Sequence, residues 1–236
     1  MPGEDRVALI TGAAGALGRA TARAFASDGW RLGLIGRDST RLASVAADAE
    51  IGDERWVSAT ADLRQPDQVA PAVDLVQRRW GRIDALLHLI GGSIPGSPVA
   101  ELDPSDLGFM LDQHLWSTMH VVRAVVPGMV ERGWGRIVAV TSSTTISAPA
   151  KASAYATSKI AQETLLRVLA KEVAATGVTV NVVAVRQIDV DHLREREPSP
   201  KNAAWATPEE IVGTFRFLCS DEAAAVNGAR IPLDGR

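Results

Sequence analysis

The sequence predicts an α/β protein in which a parallel sheet of seven strands is covered by helices on both faces. Short β-branched or apolar runs alternate with longer stretches of helical periodicity, a pattern typical of strand-helix-strand units. The short runs are apolar throughout, as expected for strands buried on both faces. No repeat, linker or shift in composition divides the 236 residues, so we expect one domain over residues 1–236.

The elements follow one another in a regular order. The predicted strands cover residues 7–11, 31–36, 56–61, 83–90, 136–141, 179–185 and 229–233. The predicted helices cover residues 17–27, 40–49, 66–80, 104–132, 154–175 and 208–220. Pro66, Pro104 and Pro208 mark helix starts, because proline suits the first turn and an acidic residue in that turn favours the positive end of the helix dipole.

The composition excludes several classes of protein. Hydrophobic residues make up 46% of the chain and charged residues 22%, which is enough apolar material for a large core. The net charge of −3 is not typical of a protein that binds nucleic acid or a membrane surface. The chain contains no run of about 18 apolar residues, which is the length needed to span a bilayer. Its N-terminus lacks the pattern of a secretory signal. The lone Cys219 rules out an internal disulfide or a multi-cysteine metal site, so we expect a cytoplasmic protein without a metal.

Residues 186–207 do not fit the alternation of strands and helices. They mix charged residues with two prolines and a tryptophan. A loop of this length in a compact domain is usually functional or disordered. It would leave from the carboxyl end of a strand, where ligands bind in open α/β folds. We interpret it as a substrate lid, with a solvated insertion as the alternative.

A glycine-rich turn follows the first predicted strand. Gly12, Gly15, Leu17 and Gly18 lie between this strand and the body of the first helix. Glycines at this point let backbone N–H groups approach a pyrophosphate at the helix N-terminus. In the first strand-helix unit, this turn indicates a dinucleotide-binding Rossmann fold, although an ordinary turn is the alternative.

The end of the second predicted strand bears on the choice of dinucleotide. Gly36 cannot bond a ribose 2′-hydroxyl, whereas Arg37 can pair with a 2′-phosphate. The sequence therefore favours NADP(H) over NAD(H). Asp38 leaves NAD(H) as the alternative cofactor. The alternative role of Arg37 is that of a solvated surface residue.

The only tyrosine of the chain lies in a pattern that suits acid-base chemistry. Tyr155 precedes Lys159 by four residues at the start of a predicted helix, which places both side chains on one face. A phenol with its ordinary pKa near 10 is a poor catalyst at neutral pH unless a nearby cation such as Lys159 favours the phenolate. Ser142, at the end of the fifth strand, would orient a carbonyl while Tyr155 gives its proton and a nicotinamide gives hydride. A solvent-facing pair is the alternative.

These motifs resemble the classical short-chain dehydrogenase/reductase family over nearly the whole chain. The resemblance implies a doubly wound Rossmann fold that interconverts a carbonyl and a secondary alcohol, with Ser142, Tyr155 and Lys159 as catalytic residues. The cofactor-binding residues it implies, together with those from the patterns above, are Gly12, Gly15, Leu17, Gly18, Arg37, Asp62, Leu63, Ile90, Gly91, Tyr155, Lys159 and Ile188. Further matches are Thr11, Asn181, Asp234 and Gly235.

The resemblance also implies an assembly. The family usually forms a tetramer or a dimer with the fourth and fifth helices at an interface. The apolar candidates for that interface are Met110, Leu115, Trp116 and Met119. The alternative is that these side chains pack on the sheet.

The chain departs from the family pattern at four places. Ala16 replaces the middle glycine of the turn, which leaves cofactor binding nearly unaffected. His88 begins the run that replaces Asn-Asn-Ala-Gly, and we interpret it as a braced core histidine. His114 replaces the catalytic Asn that in the family holds a water in the proton path; an imidazole could continue that relay with a changed pH profile, or could only fill space. Arg186 follows Val185 in place of Pro-Gly, and it either selects an anionic substrate or points to solvent.

Two functions from different classes follow from these observations. The first is an NADP(H)-dependent oxidoreductase, with a 3-oxoacyl thioester as one candidate substrate by analogy within the family. The second is a cofactor-binding scaffold or regulator in which catalysis has decayed. The departures at His88, His114 and Arg186 motivate the second. The intact Ser142, Tyr155 and Lys159 oppose it.

Overall fold

The computed structural model describes residues 6–234, in which seven parallel strands form one sheet. Their order is β3-β2-β1-β4-β5-β6-β7. The strands are β1 Val7–Thr11, β2 Arg31–Gly36, β3 Trp56–Thr60, β4 Ala85–His88, β5 Gly135–Ser142, β6 Val178–Val185 and β7 Arg230–Leu233. The direction of winding reverses between β1 and β4, which opens a crevice at the carboxyl ends of these strands. The predicted doubly wound sheet of seven strands is confirmed.

Helices connect the strands within the described range. They are α1 Ala16–Ser27, α2 Ser39–Asp48, α3 Pro66–Trp80, α4 Pro104–Leu111, α5 Ser117–Arg132, α6 Thr144–Ser147, α7 Ser153–Glu172, α8 Leu193–Arg196 and α9 Pro208–Leu218. The helix starts predicted at the three prolines are confirmed. At α9 the start is reinforced by a capping box, in which Thr207 and Glu210 each accept a backbone N–H of the other.

Two elements differ from the prediction. The helix predicted over 104–132 contains a π turn, Asp112–Trp116, between α4 and α5. β4 is shorter than the predicted strand 83–90 and ends at His88. The short helices α6 and α8 were not predicted, because neither is long enough to show a helical period.

Two apolar layers flank the sheet. One contains α1, α2 and α9 with side chains such as Phe25, Leu42 and Phe215, all essentially inaccessible to solvent. The other contains α3, α5 and α7, where Val76 and Val125 are equally buried. Burial of each such side chain contributes roughly 1.5–3 kcal/mol, so these layers hold the strands in register.

Residues 186–207 form an ordered segment beyond β6. A short parallel bridge joins Ile188 to Ala206 at its two ends. The buried carboxylate of Asp189 accepts the backbone N–H groups of Leu193 and Arg194, each at 2.8 Å. The segment therefore has internal structure, although many of its residues are exposed to solvent.

Some predictions fall outside the described residues. The domain prediction extends over residues 1–5 and 235–236, and the matched Gly235 is one of these. Over residues 6–234, no helix has the length and apolar character needed to cross a bilayer.

Candidate active site

The turn after β1 requires glycine at two positions. Gly12 has a φ of 69°, and a Cβ there would lie 2.8 Å from the carbonyl oxygen of Leu89. A Cβ on Gly18 would lie 2.5 Å from the carbonyl oxygen of Gly12. The turn is therefore too tight for side chains at these points, and the backbone is free to meet a ligand.

The first turn of α1 presents backbone donors. Its first intrahelical bond runs from the N–H of Arg19 to the carbonyl of Gly15, at 2.9 Å. The N–H groups of residues 16–18 thus have no partner within the helix, and the helix dipole adds a partial positive charge. This geometry fits a pyrophosphate. Ala16 lines the same cavity, so its methyl group is accommodated there.

A cavity of about 700 Å³ extends from this turn along the carboxyl ends of the strands. It is lined by ten of the twelve predicted cofactor-binding residues: Gly12, Gly15, Leu17, Gly18, Arg37, Asp62, Leu63, Ile90, Gly91 and Ile188. Its size is in the range of cofactor pockets. We refer to it below as the dinucleotide cleft.

Three arginines line the dinucleotide cleft near the ends of β2 and β3: Arg37, Arg41 and Arg64. Arg37 is exposed, and among the described residues it has neither an ion pair nor a hydrogen bond. Arg41 donates to the carbonyl of Ala14 at 3.1 Å. The Asp38 carboxylate caps α2 by accepting the N–H of Arg41 at 3.0 Å. Asp38 is thus already engaged within its own helix, whereas Arg37 has free donors.

Asp62 lies in the cleft, as predicted, but its carboxylate is already bound. The Arg64 guanidinium donates to both oxygens, with Nε at 3.0 Å from each and Nη2 at 2.5 Å from one. These hydrogen bonds hold the pKa of Asp62 below its usual range. The carboxylate therefore has few remaining acceptor sites for an adenine.

The predicted catalytic residues meet at the carboxyl end of β5. Ser142 is the last residue of β5, and Tyr155 and Lys159 lie in the first two turns of α7. The Ser142 Oγ accepts the N–H of Thr144 at 3.2 Å, and Ser142 and Tyr155 line the same cavity. Lys159 is almost wholly buried and donates to the carbonyl of Val140 at 3.0 Å.

The protonation states of Lys159 and Tyr155 differ from those that the sequence predicted. Burial lowers the pKa of Lys159 to about 7. Burial raises the pKa of Tyr155, and the hydrogen bond from Ser142 opposes this only in part. The Lys159 ammonium was expected to favour the phenolate, but it is held by Val140 and by the Gln162 Oε1 at 3.1 Å. Tyr155 is therefore protonated at neutral pH, which is the form that can donate a proton.

His114 lies in the π turn and contacts the catalytic residues from the side. Its Nδ1 is 2.9 Å from the Ser158 Oγ, and its ring is 5.5 Å from the Tyr155 ring in an edge-on arrangement. Burial, with the nearby charge of Lys159, lowers the pKa of His114 to about 2. The imidazole is thus neutral at neutral pH, and it can join a proton path only by donating and accepting hydrogen bonds. Its Nε2 is buried and has no partner among residues 6–234.

His88 has the bracing contact expected for a core histidine. Its Nδ1 is 2.9 Å from the Thr11 Oγ1, which links the ends of β4 and β1. Burial lowers its pKa to about 3, and the charge of Lys159 adds to this effect. His88 is therefore a neutral structural residue behind the site.

Two polar groups next to the site escaped sequence reasoning. Gln162 joins Lys159 to the Thr118 hydroxyl, to which its Nε2 donates at 2.8 Å. Glu163 accepts the hydroxyls of Thr141 and Thr145, each at 3.2 Å, and lies 3.3 Å from the Arg230 guanidinium. The sequence carried one signal for these two groups. They are polar residues three and four positions after Lys159, and this spacing places them on the same inward-packing face of the helix.

A second cavity, of about 480 Å³, opens beside the catalytic residues. Ser142 and Tyr155 line it together with Arg186 and Gln187 from the start of the 186–207 segment. The same segment lines the dinucleotide cleft with Ile188 and Val190. It thus borders both cavities. We refer to the second cavity below as the catalytic cavity.

The candidate interface residues divide into two groups. Met110 is fully buried within the chain, so the expectation that it faces a partner is wrong. Leu115 and Met119 are partly buried, and Trp116 is 43% exposed. Among the described residues, no group of three or more His, Cys, Asp or Glu side chains could hold a metal ion.

The chain matches the family model described as short chain dehydrogenase over residues 6–201. It belongs to the short-chain dehydrogenase family. Proteins of this family that resemble the chain are named as dehydrogenases or reductases, and the chain is an oxidoreductase of this kind that binds NAD(P)(H).

Relatives within the short-chain dehydrogenase family cover almost the whole chain. A hydroxy(phenyl)methylsuccinyl-CoA dehydrogenase subunit of Thauera aromatica is 34% identical over 240 residues, or 98% of this chain and 93% of that protein. An acetoacetyl-CoA reductase of Cupriavidus necator is 29% identical over 98% of this chain and 97% of that protein. The solved structure of a levodione reductase matches with a TM-score of 0.90 at 28% identity, over 99% of this chain and 97% of that chain.

Proposed function

We propose that the protein is an NADP(H)-dependent short-chain dehydrogenase that interconverts a carbonyl and a secondary alcohol. The observation that carries this proposal is that Ser142 and the protonated Tyr155 both line the catalytic cavity. The adjoining dinucleotide cleft fits a cofactor, and the 186–207 segment borders both spaces.

The catalytic residues take distinct roles in the proposed reduction. A bound nicotinamide supplies the hydride. The Ser142 hydroxyl donates a hydrogen bond that orients the substrate carbonyl, and Tyr155 gives its proton to the carbonyl oxygen. Lys159, with a pKa of about 7, can release and take up a proton near neutral pH and so serves as the proton reservoir from which Tyr155 is reprotonated. In the reverse direction Tyr155 accepts the proton of an alcohol.

His114 is the candidate for the proton path on the side of Tyr155 away from solvent. As a neutral imidazole it can accept at one nitrogen and donate at the other. Its contacts with Ser158 and with the edge of the Tyr155 ring, and its buried Nε2, support a role in the hydrogen-bond network beside Tyr155. This role uses no titration of His114 itself.

The preference for NADP(H) rests on the charges around the end of β2. Arg37 has free donors, Arg41 lies beside it in the cleft, and the Asp38 carboxylate is used as the cap of α2. An arginine can pair with a 2′-phosphate by two hydrogen bonds, which a 2′-hydroxyl does not offer. These contacts support NADP(H) over NAD(H).

Replacement of Arg37 tests the cofactor proposal. Arg37→Gln is expected to raise the Kd of NADPH at least tenfold and to leave the Kd of NADH nearly unchanged, because only NADPH carries the 2′-phosphate. Fluorescence titration of both cofactors measures this. Arg78→Gln, an exposed arginine of α3, is the matched control. Equal losses for both cofactors would contradict the assignment.

Replacement of Tyr155 tests the proposed chemistry. Tyr155→Phe is expected to lower kcat with NADPH and a panel of ketones and 3-oxoacyl thioesters by at least a thousandfold, because it removes the proton donor. Cofactor affinity is expected to stay within about threefold, since the ring remains in place. If the wild type turns over nothing and the variant behaves identically, the decayed scaffold becomes the better account.

The substrate, assembly and location are also proposed. A 3-oxoacyl thioester is one candidate substrate, since two relatives are named for coenzyme A thioesters. A homotetramer or homodimer would use α4, α5 and α7, where Phe109, Trp116, Ile160 and Val168 are exposed. The lone thiol, Cys219, is buried and supports a cytoplasmic location. The 186–207 segment is proposed as the substrate lid.

A further inference from the structure

We propose that the catalytic cavity binds substrates that carry an anionic group, and that Arg186 and Lys151 bind this group while Ser142 and Tyr155 hold the reacting oxygen. The proposal rests on the proposed function, because it assigns a substrate class to the same site. The anion is the carboxylate of a small oxo acid or a phosphate of a coenzyme A thioester, and the test distinguishes these two sources.

The sheet places Arg186 beside the catalytic serine. Ser142 of β5 is in register with Val185 of β6, and Arg186 is the next residue of the chain. Neighbouring strands lie about 4.8 Å apart. The backbone of Arg186 is therefore one residue beyond the position that pairs with Ser142, where the substrate oxygen would bind. Both residues line the catalytic cavity.

A second cation lines the same cavity. Lys151 lies in the loop before α7 and lines the cavity with an exposed side chain. Its backbone has a φ of 67°, and a Cβ at Gly96 would collide with its carbonyl. The backbone of Lys151 is thus held against the facing loop at an unusual angle, which costs free energy and which a binding role would explain.

The charge in the catalytic cavity is unbalanced. Arg186 and Lys151 have no ion pair or hydrogen bond among residues 6–234, and no Asp or Glu is among the residues that line the cavity. The hydroxyls of Thr144 and Ser153, also on its wall, are shielded from solvent and lack a partner within the described chain. The cavity therefore offers positive charge without a lining carboxylate to neutralise it.

The phosphates of the cofactor do not account for these cations. The basic residues of the dinucleotide cleft are Arg37, Arg41 and Arg64, and none of them lines the catalytic cavity. Conversely, Arg186 and Lys151 do not line the cleft. The two sets of positive charge serve separate spaces, so the second set is available for the substrate.

Matched pairs of acids and esters test the proposal. The substrates are 3-oxobutanoate and 4-oxopentanoate, their methyl esters, and acetoacetyl-CoA with NADPH. At least one acid is expected to exceed its ester in kcat/KM by tenfold or more if the anion is a carboxylate. The double variant Arg186→Gln/Lys151→Gln is expected to bring that ratio close to one, mainly through KM, whereas Arg186→Lys is expected to retain most of it. Lys171→Gln, an exposed lysine at the end of α7, is the control and should leave the ratio as in the wild type.

The thioester arm identifies a phosphate. If acids and esters react equally while the double variant raises the KM of acetoacetyl-CoA at least tenfold, the anion is a phosphate of coenzyme A. If no acid is preferred and acetoacetyl-CoA is insensitive to the double variant, the proposal is overturned.

A binding measurement separates this proposal from the proposed function. Calorimetry of the same acids, esters and acetoacetyl-CoA, with and without NADP⁺, requires no turnover. If the protein turns over no substrate but binds an anion through Arg186 and Lys151, the anion proposal is supported and the proposed reaction is contradicted. Equal binding of acids and esters, with thioester binding unaffected by the double variant, would overturn the anion proposal even if neutral ketones are reduced.

Discussion

Lys159 combines a functional position with a large cost of burial. Its ammonium lies among the Val140 carbonyl, Gln162 and two neutral imidazoles, His88 and His114. Removing a cation from water is unfavourable, so the pKa of Lys159 falls from 10.5 to about 7. The same charge opposes protonation of both histidines. The site can therefore hold one positive charge, and Lys159 is the residue that titrates near neutral pH.

Lys159→Met is expected to stabilise the fold while it abolishes turnover. At pH 6 the lysine is protonated in both states, and the folded state bears a cost of roughly 5 kcal/mol for burying the charge. Its removal leaves the Val140 carbonyl and the Gln162 Oε1 without a donor, so the free energy of unfolding should rise by only about 2 kcal/mol. Between pH 7 and 10 the unfolded chain binds the additional proton, so wild-type stability rises with pH relative to the variant. Urea unfolding from pH 6 to 10 measures this. A difference between the two proteins that does not change with pH would contradict it, and Lys171→Met is the exposed control.

At the scale of elements, hydroxyl and carboxylate groups stabilise two irregular segments. The Ser117 and Thr118 hydroxyls donate at 2.6 Å to the carbonyls of Gln113 and His114 in the π turn. In the 186–207 segment, Asp189 accepts two backbone N–H groups at the start of α8. Each segment borders the site, and π turns are often found at functional positions. Side-chain acceptors and donors thus replace the regular backbone pattern where the site needs a different shape.

Asp189→Ala is expected to loosen the 186–207 segment. The substitution leaves two partly buried backbone N–H groups without their acceptor, which costs about 1 kcal/mol for each. Amide hydrogen exchange over residues 190–206 should speed up at least tenfold, and the KM values for cofactor and substrate should rise. Asp191→Ala, an exposed carboxylate two residues away, is the control and should do neither. Unchanged exchange in Asp189→Ala would show that the bridge between Ile188 and Ala206 suffices to order the segment.

At the scale of the molecule, one helical layer carries an exposed apolar surface. Phe109 and Trp116 in the α4 region are each 43% exposed, and Ile160 and Val168 of the neighbouring helix α7 are 39% and 49% exposed. The helices α4 and α7 pack against each other, so these side chains belong to one layer. Several large apolar side chains exposed on neighbouring helices are typical of protein interfaces. It supports an assembly through this layer.

The double variant Trp116→Glu/Ile160→Glu is expected to dissociate the proposed homotetramer or homodimer. Charges introduced into an apolar interface would be buried without partners, which weakens association by several kcal/mol. Sedimentation velocity should show a species of half the wild-type mass or less. Val99→Glu, a more exposed apolar residue in the turn before α4, should leave the mass as in the wild type. A wild type that is monomeric at micromolar concentration would refute the assembly.

The sequence by itself determined the order of strands and helices, the glycine turn and the grouping of Ser142, Tyr155 and Lys159 that we propose as catalytic, because these depend on local periodicity, on tight turns and on short spacings. Only the tertiary structure decided how the polar side chains are paired. Arg64 binds the carboxylate of Asp62, Gln162 holds Lys159, and Met110 lies inside the chain instead of at an interface. The π turn was equally hidden, since its hydroxyl donors fit an ordinary helix just as well. A buried polar atom binds whichever partner the fold brings within reach, and spacing along the chain does not reveal that partner.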